Sequence, residues 1–131
     1  MTHQQSEETT SADHKVIFIT GGSSGVGRTA VKLFVSKGHT VIFTGRSSDR
    51  LEQAIKWIQP STEERSRLYP VVLDLESLES VRNAVASFKS LNFSSLDVLI
   101  NNAGCSNPEL KYSSDTTRVE STIFANTVAH W

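Results

Sequence analysis

KVIFITGGSSGVG, residues 15–27, is the stretch from which the fold can be read. Its first part, Lys15 to Thr20, is short, β-branched and unalternating, the pattern of a strand buried on both faces of a parallel sheet. Glycines then break the strand from Gly21 to Gly27. From Val26 onward, Val26, Ala30, Leu33 and Phe34 recur at i, i+4, i+7 and i+8, which predicts a helix with one apolar face that ends near Gly38. Strand, glycine turn and helix make one unit.

Working outward, the unit repeats. TVIFTG (residues 40–45) predicts a second strand, and Leu51, Ala54, Ile55 and Ile58 form the stripe of a second helix that stops at Pro60. STEERSR follows as a polar loop. LYPVVLD, from Leu68 to Asp74, predicts a third strand, placed at a sheet edge by Pro70; a third helix carries Leu78, Val81, Val85 and Phe88. Leu96 to Ile100 predicts strand four. After a loop, Thr117 and Glu120 form a capping box that opens a fourth helix running to the end of the chain.

Strands alternating with helices over short connections imply a parallel sheet with right-handed crossovers. The expected fold class is α/β, a three-layer doubly wound Rossmann fold with strand order 3-2-1-4 present and the remaining strands of a 3-2-1-4-5-6 sheet missing. Residues 15–131 form the expected NAD(P)-binding domain, incomplete at its C-terminus. Residues 1–14, MTHQQSEETTSADH, are expected to be a disordered polar tail; they lack the basic start and apolar stretch of a secretory signal and the arginines of a mitochondrial one.

Composition narrows the classes of function. With 37% hydrophobic and 21% charged residues and a net charge of −1 over 131 residues, the chain reads as one soluble globular domain. The 13 lysines and arginines are scattered among acids, without the clustered basic face that nucleic acid requires. Cys105 is the single cysteine, which excludes an intrachain disulfide and fits a reducing compartment. His3, His14, His39 and His130 are far apart in sequence with no i, i+4 pair, so no metal site is expected. No apolar run approaches the roughly 20 residues that span a bilayer, and the cytosol is the default location.

In a doubly wound sheet ligands bind at the carboxyl ends of the strands, and each strand here ends in a polar or glycine-containing signature. After strand one, Gly21 permits the tight turn, Gly25 lets backbone approach a pyrophosphate and Gly27 allows close helix packing; Ser23, Ser24 and Val26 complete the loop beneath a helix N-terminus that favours phosphate. A bare glycine pattern of this kind is otherwise only a tight turn.

About 18 residues further on, enzymes that use NAD place an acid. This sequence has Thr44-Gly45-Arg46-Ser47 instead. Arg46 offers a guanidinium fork suited to a phosphate and Ser47 a further donor, which favours NADP(H); the alternative is a solvated loop arginine. Arg28 is a second, weaker candidate for that phosphate, with a surface ion pair as the favoured reading. Asp74, with Leu75 after it, could accept a hydrogen bond from an adenine amino group, or serve as an N-terminal helix charge. Asn101-Asn102-Ala103-Gly104 ends strand four, where amides can tie neighbouring strands and small residues let backbone approach a ribose.

Together these segments resemble the short-chain dehydrogenase/reductase family: TGGSSGVG its TGxxxGxG loop, Asp74-Leu75 its adenine-binding aspartate, and residues 101–104 its NNAG motif. The resemblance covers residues 15–131. LESLESVR (residues 75–82) and residues 120–131 look most like the branch containing retinol dehydrogenases and protochlorophyllide reductases. Asn126 falls at i+7 from Val119 and i+3 from Ile123, on the expected inward stripe of its helix, and NTVAHW is similar to the family's NHLGHF segment. The resemblance gives Asn126 the role of holding a water in a proton relay; a core asparagine bonded to backbone is the alternative.

The family's reaction is hydride transfer between a carbonyl or alcohol and nicotinamide, which the resemblance implies for a complete form acting on a small carbonyl or alcohol, with room for a homo-oligomer. Its serine and Tyr-x-x-x-Lys pair have no counterpart. Tyr69 is followed four residues later by Leu73, and Tyr112 by Thr116. Three expectations follow: a portion of an NADPH-dependent reductase, a short product that binds NADP or caps a partner, or an unfolded remnant.

Overall fold

The computed structural model describes residues 13–104, 125–126 and 128–130. Four strands run in parallel in the order β3-β2-β1-β4: β1 Val16–Ile19, β2 Thr40–Gly45, β3 Leu68–Val72 and β4 Val98–Ile100. Between them lie α1 Gly25–Ser36, α2 Ser48–Ile58, α3 Thr62–Arg65 and α4 Leu78–Ser90. This is the doubly wound α/β arrangement expected from the alternation of elements.

β2 sits inside the sheet and is buried at every position. Its side chains alternate between the faces. Val41 and Phe43 join Ile19, Val31, Val35, Leu51 and Ile58 in one core. Ile42 joins Val71, Leu73, Leu75 and Ala84 in the other, where Ala125 and Ala129 also pack. Between α4 and the sheet, Phe88 meets Phe18 edge-on at 5.7 Å, and Phe93 meets Tyr69 at 5.3 Å. This second face is the looser one: β1 alternates buried Ile17 and Ile19 with half-buried Val16 and Phe18, so it is not buried on both sides as its sequence suggests.

Pro70 lies in an edge strand, as expected. Val41 N donates to Arg67 O and Leu73 N to Gly45 O, both at 2.9 Å. The alternation between those two points turns the Pro70 nitrogen away from β2, where a missing N–H costs no ladder bond.

Several local expectations are corrected. The buried side of α1 is Gly27, Val31 and Val35, while Val26 is 81% and Leu33 50% exposed. In α4 Ala84 is buried and Val85 faces solvent. The polar segment after Pro60 contains α3, opened by a capping box in which Glu64 N donates to Ser61 Oγ and Ser61 N to Glu64 Oε2. Asp13 and His14 are among the described residues, and the His14 ring bonds Thr40 Oγ1 at 2.8 Å. The capping box at Thr117 and Glu120 and the thiol of Cys105 lie outside the described residues. Among the described residues no helix is long and apolar enough to cross a membrane.

Candidate functional site

The carboxyl ends of the four strands open onto one cleft of about 460 Å³, within the usual range for small-molecule sites. The turn after β1 forms its floor. Gly21 and Gly25 have φ of 69° and 55°, left-handed values at which a side chain is strained. Gly27 has a steric reason to be glycine. A Cβ there would strike the Gly21 carbonyl oxygen and come within 2.6 Å of Asn102 Nδ2. A Cβ on Gly25 would meet nothing within 4 Å, so the space above the start of α1 is open.

That start is chemically unlike the others. Ser47 accepts from Arg50 N, Ser61 from Glu64 N and Ser77 from Ser80 N, so α2, α3 and α4 each have a side-chain cap. Ser24 at the head of α1 makes no such bond, and the first turn holds no acid. The amides that a cap would satisfy point into the cleft with the positive end of the helix dipole behind them.

One wall is held by a network that joins β1 to the segment after β4. Thr20 is 4% exposed, and its Oγ1 accepts from Asn102 N at 3.1 Å and Ala103 N at 3.0 Å. Asn102 Nδ2 donates to Thr20 O and Gly21 O at 3.2 and 3.3 Å. The strand-tying amide anticipated in the NNAG segment is therefore Asn102. Thr44 Oγ1 accepts from Gly21 N at 3.1 Å and secures the turn from the other side.

At the cleft's other end Arg46 and Arg50 line the mouth. Arg46 follows the last residue of β2, and Arg50 stands in the first turn of α2. Among the described residues neither has a carboxylate partner. Arg28 is not in an ion pair either: its guanidinium carbon stacks 4.1 Å over the Trp57 ring, a cation–π contact in place of the expected surface pair.

Of the sequence-selected residues, the cleft gathers Gly21, Ser23, Ser24, Val26 and Gly27 from the turn and Arg46 from β2. Leu75, Ala103, Gly104 and Asn126 line the remainder. Gly25, Ser47, Asp74 and Asn101 do not line it. The Ser47 hydroxyl caps α2, Asp74 Oδ1 accepts from Glu76 N at 3.0 Å, and Asn101 faces an apolar cavity beside α4. Asn126 departs from its expected burial: it is exposed and turned to the cleft near Gly104, while its neighbour Ala125 takes the core position. Arg50 was not singled out from sequence, and Thr20 and Asn102 were placed in their motifs without being paired. Arg50 resembles any solvated helix arginine, and Thr20 and Asn102 are 82 residues apart, so no local pattern links them. Among the described residues no group of three or more His, Cys, Asp or Glu could hold a metal.

Comparisons with known proteins agree with this geometry. A family model described as short chain dehydrogenase matches residues 15–131. A short-chain dehydrogenase/reductase of Pestalotiopsis fici is 41% identical over 93 residues, covering 69% of this chain and 28% of the relative. The NADP-dependent 3-hydroxy acid dehydrogenase of Shigella flexneri is 32% identical over 89 residues, 68% of this chain and 33% of that protein. Among solved structures, menthone neomenthol reductase from Mentha piperita superposes with a TM-score of 0.63 at 32% identity over 71% of this chain and 32% of its own. The N-domain of a bacterial malonyl-CoA reductase with NADP gives 0.63 at 35% identity, over 72% of this chain and 17% of that one. The chain spans about a third of the length of the curated relatives it matches.

Proposed function

The chain belongs to the short-chain dehydrogenase family, whose members bind a nicotinamide dinucleotide, and on that premise we propose that residues 15–131 are the NADP(H)-binding portion of a reductase that interconverts a carbonyl and an alcohol. The observation that carries this reading is the uncapped head of α1 at the open end of the glycine turn. A pyrophosphate there would accept the amides that no side chain satisfies.

The residues present fit the cofactor. Ser23 and Ser24 offer hydroxyls beside the uncapped amides, and Val26 gives an apolar surface over which a nucleotide can lie. Asp74 and Leu75 would meet the adenine; Asp74 keeps its second carboxylate oxygen available while Oδ1 holds the turn. Preference for NADP(H) over NAD(H) rests on Gly45, Arg46 and Arg50. A Cβ on Gly45 would stand 2.9 Å from Ser23 Cβ, leaving poor room for the ribose-binding acid of an NAD site, while the two guanidiniums suit a 2′-phosphate. Ser47 would add a donor through its hydroxyl proton, since its lone pair is engaged in the cap. When bound, the nicotinamide supplies hydride exchange with a carbonyl or alcohol carbon.

Ala103 and Gly104 would leave room for the ribose, and Asn101 would brace the strand end. Asn126, open to the cleft, would hold a water for proton transfer, together with a serine and a Tyr-x-x-x-Lys pair contributed by the remainder of a complete form. Leu96, just before β4, and Val98 and Leu99 within it are 38%, 37% and 56% exposed, an apolar edge that further sheet would cover. The substrate would be a small carbonyl or alcohol; the resemblance to the retinol dehydrogenase branch rests on residues 75–82 and 120–131 alone. A cytosolic location fits the lone Cys105.

Titration of the full chain with NADPH, read by amide hydrogen exchange, tests the proposal. Protection from Gly21 to Arg28 is the expected result; unchanged exchange there at saturating NADPH refutes it.

A further inference from the structure

Thr20 Oγ1 stands at a junction of three groups. It accepts from the backbone amides of Asn102 and Ala103, and His130 Nε2 lies 3.0 Å away. A threonine hydroxyl has two lone pairs and one proton. Both lone pairs face the amides, the Asn102 N–H being shared with Ile100 O at 3.1 Å, so the remaining bond is donated by the hydroxyl, and only an unprotonated Nε2 can receive it. The imidazole is thereby fixed as the neutral Nδ1–H tautomer. Its second bond, to the Asn126 main chain, is of the kind that favours a protonated ring and is therefore donated by the ring, which agrees with that assignment.

We propose that His130 is a positioning residue for the cofactor cleft: neutral, it locks the Asn102–Ala103 wall through Thr20, and protonated, it releases that wall. A proton on Nε2 brings a further hydrogen to an oxygen that two amides already face, so one of those bonds must give way; the Asn102 N–H retains Ile100 O, whereas the Ala103 N–H bonds Thr20 Oγ1. The wall is not free to yield without consequence. Asn102 Nδ2 holds the Gly21 carbonyl, and Ala103 is packed so closely that a Cβ on Gly21 would lie 2.8 Å from its Cα. Movement at residues 102–103 therefore reaches the phosphate turn.

The surroundings keep the ring neutral near physiological pH. Burial lowers its pKa below the ordinary 6.5, outweighing the Asn126 bond, which raises it. The apolar cavity beside the ring is lined by Phe18 of β1, Leu75 from the segment before α4, Phe88 of α4 and Leu99 of β4. No titratable or charged side chain other than His130 lines it among the described residues. Because the folded pKa is depressed, the lock is complete above about pH 6.5 and is lost as pH falls below it. The effect on cofactor affinity rests on the reading of the cleft as a dinucleotide site; the lock itself does not.

The test compares the full chain with His130→Gln, whose amide oxygen can accept from Thr20 without titrating. In the free protein, the amide resonances of Asn102 and Ala103 should move with the His130 titration in the wild type and stay still in the variant. NADPH affinity should fall several-fold between about pH 7.5 and 5.5 in the wild type. In the variant it should fall only by what the 2′-phosphate's own titration imposes. Amides that ignore His130, or an Nε2–H tautomer by ring nitrogen shifts, overturn the proposal even should the variant fail to fold. Equal pH profiles of affinity overturn it as well. Titrating amides in a chain that binds no NADPH at about pH 7.5 support the lock and sink the dinucleotide reading instead.

Discussion

The sharpest consequence of the cleft's chemistry concerns its two arginines. Arg46 leaves the end of β2 and Arg50 the first turn of α2, which Ser47 holds in place through Arg50 N at 3.3 Å. Both side chains are solvent-exposed at the mouth. A hydrogen bond to a charged group is worth about 1.5–3 kcal/mol when well shielded. At an open mouth screening cuts this to about 1 kcal/mol per arginine, about a fivefold effect each. Arg46→Ala together with Arg50→Ala should then weaken NADPH by about 25-fold if the contributions add. NADH, lacking the 2′-phosphate, should change by less than about twofold on the same reasoning. Calorimetric titration of the full chain with NADPH, NADH and 2′,5′-ADP reads both numbers. Raised salt should weaken NADPH in the wild type far more than in the double variant, because the interaction is screened over a Debye length of about 8 Å at physiological ionic strength. Parallel losses for NADPH and NADH, or an unchanged ratio between them, refute the assignment of these arginines to the phosphate.

Two further outcomes follow from the glycines and from His39. Gly27→Ala places a methyl group against the Gly21 carbonyl and Asn102 Nδ2, and the overpacking should cost about 1–3 kcal/mol. Thermal unfolding should show a Tm lower by several degrees; an unaltered Tm would mean α1 can slide away from the turn. His39 Nδ1 accepts from Lys15 N at 3.1 Å. Its pKa is lowered by burial first, and then by His14, Lys15 and Lys37. A depressed folded pKa means stability present above about pH 6.5 and lost as pH falls. His39→Asn, which preserves the acceptor, should flatten part of that slope in urea midpoints, with His130, also lowered by burial, contributing in the same direction; an unchanged slope counts against His39.

What the sequence made legible is mostly what is local. The run from Val16 to Thr20, the glycine turn and the strand order followed from adjacent residues and from the rule that crossovers are right-handed. The rotation of α1 did not, because apolar residues at 26, 30, 31, 33, 34 and 35 nearly encircle the helix. Tertiary contact chooses among them: Gly27 must touch the Gly21 carbonyl, which turns Val31 and Val35 inward and Val26 to the cleft. The capping box Ser61–Glu64 was a local signal that a polar stretch concealed. The Thr20 junction carries no local signal, since its partners are 82, 83 and 110 residues away in the chain. For Arg28, sequence gave charge, and only packing revealed the Trp57 ring beneath it.

The placement of Pro70 gives the sheet a direction of growth. At β3 an approaching strand would find a gap in the row of donors and could not pair through the middle, so that side behaves as a terminated end. The β4 side has no such block, and its leucines and valine reward coverage. Any lengthening of this sheet therefore proceeds one way, from β4 outward. Each added strand would extend the cleft past Gly104 and leave the phosphate turn, at the centre, unchanged.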